Sequence, residues 1–243
     1  MLTKLIKYDF KAVAKSMFPI YLAIIVLSVL LSLMIKLQIN ESSLIFVFIT
    51  TLFGFSITGS FVDTLIFVVR RFKDGLLKNE GYLSFALPVK ISTHIVAKVI
   101  NAVIWSIIQC MVILLITFIM GLFLSNFKDI VYMFEELIRA IGLIKMDVVI
   151  GIVKVLVIIS LNLLASICLI YSAYAIAHLF NNKYRTIVMV IYYVFVTVFA
   201  SYVLSVSAVR ELSEVLLYIL PIIWTAIYSL ITWYILDRKL NLE

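Results

Sequence analysis

The sequence predicts an all-α integral membrane protein with six transmembrane helices and an N-terminal amphipathic elbow helix ahead of the first. Three observations carry this. The 243 residues are 65% apolar and 14% charged, with a mean hydropathy of +1.22. Soluble domains are roughly half apolar and a quarter charged, so packing in water cannot hide this much apolar surface. The apolar runs also far exceed the ~10-residue strands of outer-membrane barrels. Finally, glycine (7) and proline (3) are scarce. Helices are the expected spanning form because each satisfies its own backbone hydrogen bonds in lipid.

Residues 1–16 interleave Leu2, Leu5, Ile6, Phe10 and Val13 with Lys4, Lys7, Lys11 and Lys15. This near-helical spacing predicts an elbow helix with a basic face toward anionic headgroups of membrane lipid. Pro19 is expected to break it from the first span, residues 18–37. A basic start followed by an apolar run imitates a signal peptide, but the run is too long for an h-region and no A-x-A-like site follows. The second span, 44–69, carries Gly54, Ser56, Gly59 and Ser60, small residues that let another helix approach closely, within the subunit or at a dimer seam. The string GFSITGS there resembles a P-loop but has no lysine and lies inside a span, so it cannot cradle phosphate.

Between the second and third spans lies a polar stretch, 70–93, RRFKDGLLKNEGYLSFALPVKIST. It is basic, yet it holds Leu76, Leu77, Tyr82, Leu83, Phe85 and Leu87. A plain connection does not need so many large apolar groups; a segment that presses onto a protein or a membrane surface does. The third span, 94–124, is about 45 Å long at helical rise, more than the hydrocarbon thickness, so its Lys98/Asn101 end is expected to protrude. An interfacial helix is expected over 125–147, then spans at 148–178, 186–206 and 215–236, as one transmembrane domain with no repeat.

Charge fixes the expected orientation. With both termini inside, the inner segments hold 14 Lys/Arg against 5 Asp/Glu and the outer ones 6 against 7, with Asp63 inside span two. This is the positive-inside pattern, and it accounts for the net charge of +7 better than nucleic-acid binding does. Asp63, the one carboxylate well inside a span, has two readings: helix pairing or snorkelling near the inner end, or a place on a transport pathway.

Cys110 and Cys168 each sit in apolar runs without a CxxC or Cys/His cluster, and are expected to be small buried side chains rather than metal ligands. His94 and His178 fall at inner span ends, where packing or capping suffices. Glu135-Glu136 with Arg139, and His178 with Asn182, resemble the motifs of intramembrane CAAX-type proteases. The glutamate-to-arginine spacing is one residue short, and the expected topology puts the two motifs at opposite ends of span four, so the groups cannot share one water. No Walker lysine and no nucleophile–base pair stands out.

Three stretches resemble the membrane-spanning permease subunits of ABC transporters, type-2 (exporter-like) class, of low-GC Gram-positive bacteria. They are LIKYDFKA at the N-terminus, the 70–93 stretch with Glu80-Gly81-Tyr82-Leu83 and Leu87-Pro88-Val89, and the terminal KLNLE. The resemblance implies a permease of the bacterial cell membrane, with both termini cytoplasmic. It would pair with a second permease copy or paralogue and dock a separate ATPase subunit through a cytoplasmic coupling helix. The docking residues implied are Leu76, Leu77, Lys78, Glu80, Gly81, Tyr82, Leu83, Phe85 and Pro88. Physically, Glu80 can accept from a partner's basic groups, while Tyr82, Leu83 and Phe85 can fill a groove. Pro88 would end the helix. The implied substrate is an amphipathic peptide or hydrophobic compound. No cofactor is expected in this chain, since ATP and Mg would sit on the partner, nor any enzyme activity of its own. The re-entrant helices usual between spans five and six are expected to be short, because 207–220 is short. The alternative is a structural or regulatory membrane subunit that transports nothing.

Overall fold

The computed structural model describes residues 2–77, 90–125, 132, 135, 136, 139, 142, 145–181, 183–209 and 215–238. Among these no residue lies in a strand. Six helices are long and apolar enough to cross a membrane. They are α1 (Leu2–Lys36), α2 (Leu44–Phe72), α3 (Ile91–Leu124), α4 (Met146–His178), α5 (Arg185–Val209) and α6 (Val215–Arg238). A π-helical turn, Lys73–Leu77, continues α2 without a break. The interfacial helix expected over 125–147 falls largely outside the described residues. Tyr132, Glu135, Glu136, Arg139 and Gly142 are helical and exposed, and Arg139 pairs with Glu136 at 3.2 Å.

The elbow and the first span are one helix. Pro19 lies inside α1 rather than between two helices, a correction to the break expected there. A single proline removes one backbone donor, and a long helix with packed turns on both sides tolerates that loss. The amphipathic spacing is real: Lys4, Lys7, Lys11 and Lys15 are exposed, while Val13, Met17, Tyr21, Ile24, Ser28 and Leu31 form a buried stripe. The serines on that stripe bond their own helix, Ser28 Oγ to the Ile25 carbonyl and Ser32 Oγ to that of Ser28, both at 2.7 Å.

The turn from α1 to α2 shows how a short link closes two long helices. Gln38 takes a left-handed backbone (φ 52°), and the Ile39 N–H returns to the Met34 carbonyl at 3.1 Å, a Schellman stop. Asn40 Oδ1 accepts from the Ser42 N–H and hydroxyl, so the asparagine of the Asn40-Glu41-Ser42 triplet serves the turn. Ser43 Oγ then caps α2 by accepting from the Phe46 N–H at 3.2 Å.

The chain divides into two compact units. One comprises Met1–Asp9, Val68–Val103 and Ile152–Glu243; the other comprises Phe10–Phe67 and Ile104–Gly151. In the first, the centre is the second half of α4. Ile167, Cys168, Tyr171, Ser172, Ala173, Ala175 and Ala177 are buried there, and the small residues let neighbouring helices approach closely. Around them gather Val68, Phe72, Leu76 and Leu77 of α2 and its π turn, Ile95 and Ala102 of α3, and Leu236 of α6. A satellite joins Cys168 and Leu169 to Tyr192 and Val196 of α5 and Trp224 and Tyr228 of α6. Cys110, expected to be buried, is exposed on α3, and neither cysteine is oxidised to a disulfide.

In the second unit, Val13, Met17 and Tyr21 of α1 pack on Trp105 of α3, and Phe10 stacks on that indole with centroids 5.0 Å apart. A buried polar network then joins α2 to α3. Gln109 Nε2 donates to Ser60 Oγ at 2.8 Å, and Thr64 Oγ1 donates to the Ser60 carbonyl at 2.8 Å and lies 3.3 Å from Gln109 Oε1. Large apolar side chains face outward elsewhere, Phe55 at 71% and Phe195 at 69% exposure among many. Water does not tolerate an apolar surface of this extent, but lipid chains do.

Gln109→Leu removes the α3 side chain that hydrogen-bonds Ser60 and Thr64 of α2. Such a bond between membrane helices contributes about 0.6–2 kcal/mol. The expected result is a lower unfolding midpoint in a detergent titration, while Gly121→Ala, whose added Cβ meets nothing within 4 Å, leaves it unchanged.

Candidate functional site

The cluster with the most distinctive chemistry sits where the polar stretch leaves α2. Asp9 is the only acid before Glu41, and it falls on α1 among four lysines. Its Oδ2 accepts from Lys98 Nζ of α3 at 2.6 Å, with Asp9 at 14% and Lys98 at 11% side-chain exposure. Arg71, near the end of α2, approaches the other carboxylate oxygen at 4.0 Å. Two cations therefore share one carboxylate in a largely desolvated setting. Breaking such a pair strands a charge that water reaches poorly, which makes the contact structurally consequential whatever its net worth.

The neighbours fix the geometry. Asn101 Nδ2 donates to the Ile6 carbonyl at 3.3 Å, a second tether between α3 and the first turns of α1. Tyr171 of α4 donates its hydroxyl to the Lys98 carbonyl at 3.2 Å, and its ring stacks nearly parallel on Phe72, with centroids 4.2 Å apart. An aromatic pair of this kind is worth about 1 kcal/mol beyond its area. Gly75 lies against the lysine: a Cβ there would sit 2.9 Å from Lys98 Nζ. The π turn thus places a residue without a side chain where the ammonium must pass to reach Asp9.

At the end of span three expected to protrude from the hydrocarbon, Asn101 is buried and the Lys98 side chain is 11% exposed, because the first turns of α1 pack over them. Leu76 and Leu77, expected as docking anchors, are 0% and 5% exposed inside the chain's own core, so they brace the start of the stretch rather than face a partner. Lys78, Glu80, Gly81, Tyr82, Leu83, Phe85 and Pro88 lie outside the described residues. The 70–93 stretch is therefore helical up to Leu77 and again from Ile91.

The small residues of α2 divide. Ser60 is spent on the Gln109 network. A Cβ added at Gly54 or Gly59 would meet nothing within 4 Å, and Ser56 donates to the Leu52 carbonyl of its own helix. Asp63 is half-buried and makes no ion pair or hydrogen bond among the described residues. His94 is buried in the first turn of α3. No group of three or more His, Cys, Asp or Glu is gathered to hold a metal among the described residues.

The arrangement is a joint: four helix ends held by one carboxylate, one tyrosine and the core beneath. The sequence carried one signal for it, the lone acid in a run of lysines; Tyr171 and Gly75 carried none. Compared with models of protein families, with curated proteins and with solved structures, the chain matches none.

Asp9→Leu is expected to destabilise the protein by about 3 kcal/mol, because Lys98 is left buried without its counter-charge. The double variant Asp9→Leu/Lys98→Met should recover most of that loss in a detergent unfolding titration. Additive losses in the cycle would mean that the two residues act independently.

Proposed function

We propose that the chain is the membrane-spanning permease subunit of an ATP-driven ABC exporter, working with a separate ATPase subunit. The observation that carries the reading is the basic, apolar-rich stretch between α2 and α3. Its Glu80-Gly81-Tyr82-Leu83 and Leu87-Pro88-Val89 strings resemble the coupling segment of type-2 permeases. The buried joint supports it physically. A segment that transmits force needs a stiff mount, and Leu76 and Leu77 enter the core immediately before it. A displacement of residues 78–89 would load α2 and α3 together, and through Lys98, Asp9 and Tyr171 would reach α1 and α4.

In this reading the stretch and both termini face the cytoplasm of a bacterial cell, the side that the charge bias favours for them. Lys78, Glu80, Gly81, Tyr82, Leu83, Phe85 and Pro88 make the docking surface. A second copy or paralogue completes the transporter, and the small residues Gly54, Ser56 and Gly59 of α2 supply places for close helix approach. Asp63 on the same helix is a pathway residue or meets a group of that second copy. The cargo is an amphipathic peptide or hydrophobic compound. ATP and Mg stay on the ATPase subunit, and this chain catalyses nothing itself.

Two variants test docking. Truncating a central interface anchor commonly costs about 2 kcal/mol, about thirtyfold in affinity. Tyr82→Ala should therefore lose co-purification of the ATPase subunit while inserting normally. Glu80→Lys should lose more than Glu80→Ala, since it adds repulsion. Wild-type binding, hydrolysis and export in both Tyr82→Ala and Glu80→Lys would remove the coupling role from this stretch. A separate check addresses assembly: Gly59→Leu should reduce the size of the detergent-purified complex without lowering subunit stability. An unchanged complex would make this face lipid-exposed.

A further inference from the structure

One end of the pair α3 and α6 holds a recess of about 840 Å³ whose polarity is graded. Lys90, Ser92 and Asp237 line one end of it, with Ile91 beside them; Ile95, Val96, Leu230 and Trp233 line most of the rest, together with Ser229, whose hydroxyl donates to the Ala226 carbonyl of its own helix. The two helices run in opposite senses here. Leu236 packs in one core with Ile95 and Ile91, which sets the Asp237 end beside the Lys90 end. From the charged rim the walls therefore become apolar over about two helical turns, roughly 10 Å along each helix. The volume lies in the range of small-molecule sites, and both helices are apolar enough to lie in lipid.

Charge decides what belongs at the rim. Asp237 already pairs with Arg238 at 3.4 Å. Lys90 is exposed and makes no ion pair among the described residues. Among the described residues the rim thus presents one cation without an ion-pair partner above a largely apolar slot, with Trp233 lying partly exposed along the wall. Aromatic residues of this kind favour the boundary between headgroups and chains. An amphiphile with a negative head and a flexible tail matches every part of this gradient, and the slot is short for a partner helix.

We infer that the α3–α6 groove is a phospholipid site, holding the headgroup phosphate of an anionic lipid at Lys90 and one acyl chain along Ile95, Val96, Leu230 and Trp233. Lys90 and Ser92 close the 70–93 stretch but lie beyond its implied docking residues, and the site does not require the chain to be a transporter.

Native mass spectrometry of the full-length protein in mild detergent tests this, with phosphatidylglycerol and phosphatidylcholine of identical chains added separately. Wild type should retain phosphatidylglycerol about fivefold better, the effect of one favourably placed lysine near a headgroup. Lys90→Gln, a surface change, should reduce that preference to near parity while both lipids still bind. Leu230→Trp, which fills the slot, should lower retention of both lipids, with an unfolding midpoint checked against wild type. Retention of neither lipid by wild type, or an unchanged preference in Lys90→Gln, would overturn the assignment. So would displacement of phosphatidylglycerol by millimolar inorganic phosphate, which would mark a free-anion site. If Leu230→Trp misfolds, the Lys90→Gln comparison still decides.

Discussion

A carboxylate taken out of water must keep its counter-charge, and in this chain that requirement falls on Asp9. Its contact with Lys98 at 2.6 Å sits among side chains that offer little other solvation. The pair is not strong evidence of stability by itself, because desolvation offsets much of the Coulomb gain. It is strong on specificity. Once Asp9 is buried, the first turns of α1 can lie in one register only against α3, and Asn101 with the Ile6 carbonyl repeats the constraint one helical turn along α3. Tyr171 then fixes α4 against the same turn of α3, and Phe72 fixes the end of α2 against Tyr171. Gly75 leaves the space through which the lysine reaches.

This joint gives the polar stretch its meaning. An apolar-rich loop that merely connected two helices would not need a buried approach. Here the π turn puts Leu76 at 0% exposure before the chain leaves for residues 78–89. A π turn carries one more residue per turn than its α-helical neighbours, and such turns are frequent where a helix serves a function. The proposed coupling role rests on this mounting together with the resemblance of the strings beyond it. The groove between α3 and α6 adds a second expected contact with the surroundings, one of lipid chemistry.

Much of the architecture was legible in the residues. Six apolar runs with polar breaks gave six helices long and apolar enough to cross a membrane, the form in which a backbone satisfies itself in lipid. Pro19 was misread: proline weakens a helix locally, but whether it breaks depends on packing on either side, which a single run does not display. Leu76 and Leu77 were misread for a related reason. Apolar residues in a basic stretch signal burial against something, but not against what. The cover that α1 gives Lys98 and Asn101 was not legible, because helix length compared with membrane thickness says nothing of a neighbouring helix. The Ser60–Thr64–Gln109 network and the Tyr171 contact join residues 45 to 73 positions apart, and no local pattern announces such pairs.

The central claim is that the mounted stretch meets a nucleotide-hydrolysing partner. It is tested most directly by a photo-crosslinking residue at position 82, irradiated in intact native membranes. The account predicts an adduct between this chain and a soluble-faced ATPase subunit, formed at 82 and lost when the probe is moved to the outward lipid face at position 195. Adducts at 82 confined to lipid, or to groups reachable only from the opposite side of the membrane, would contradict it.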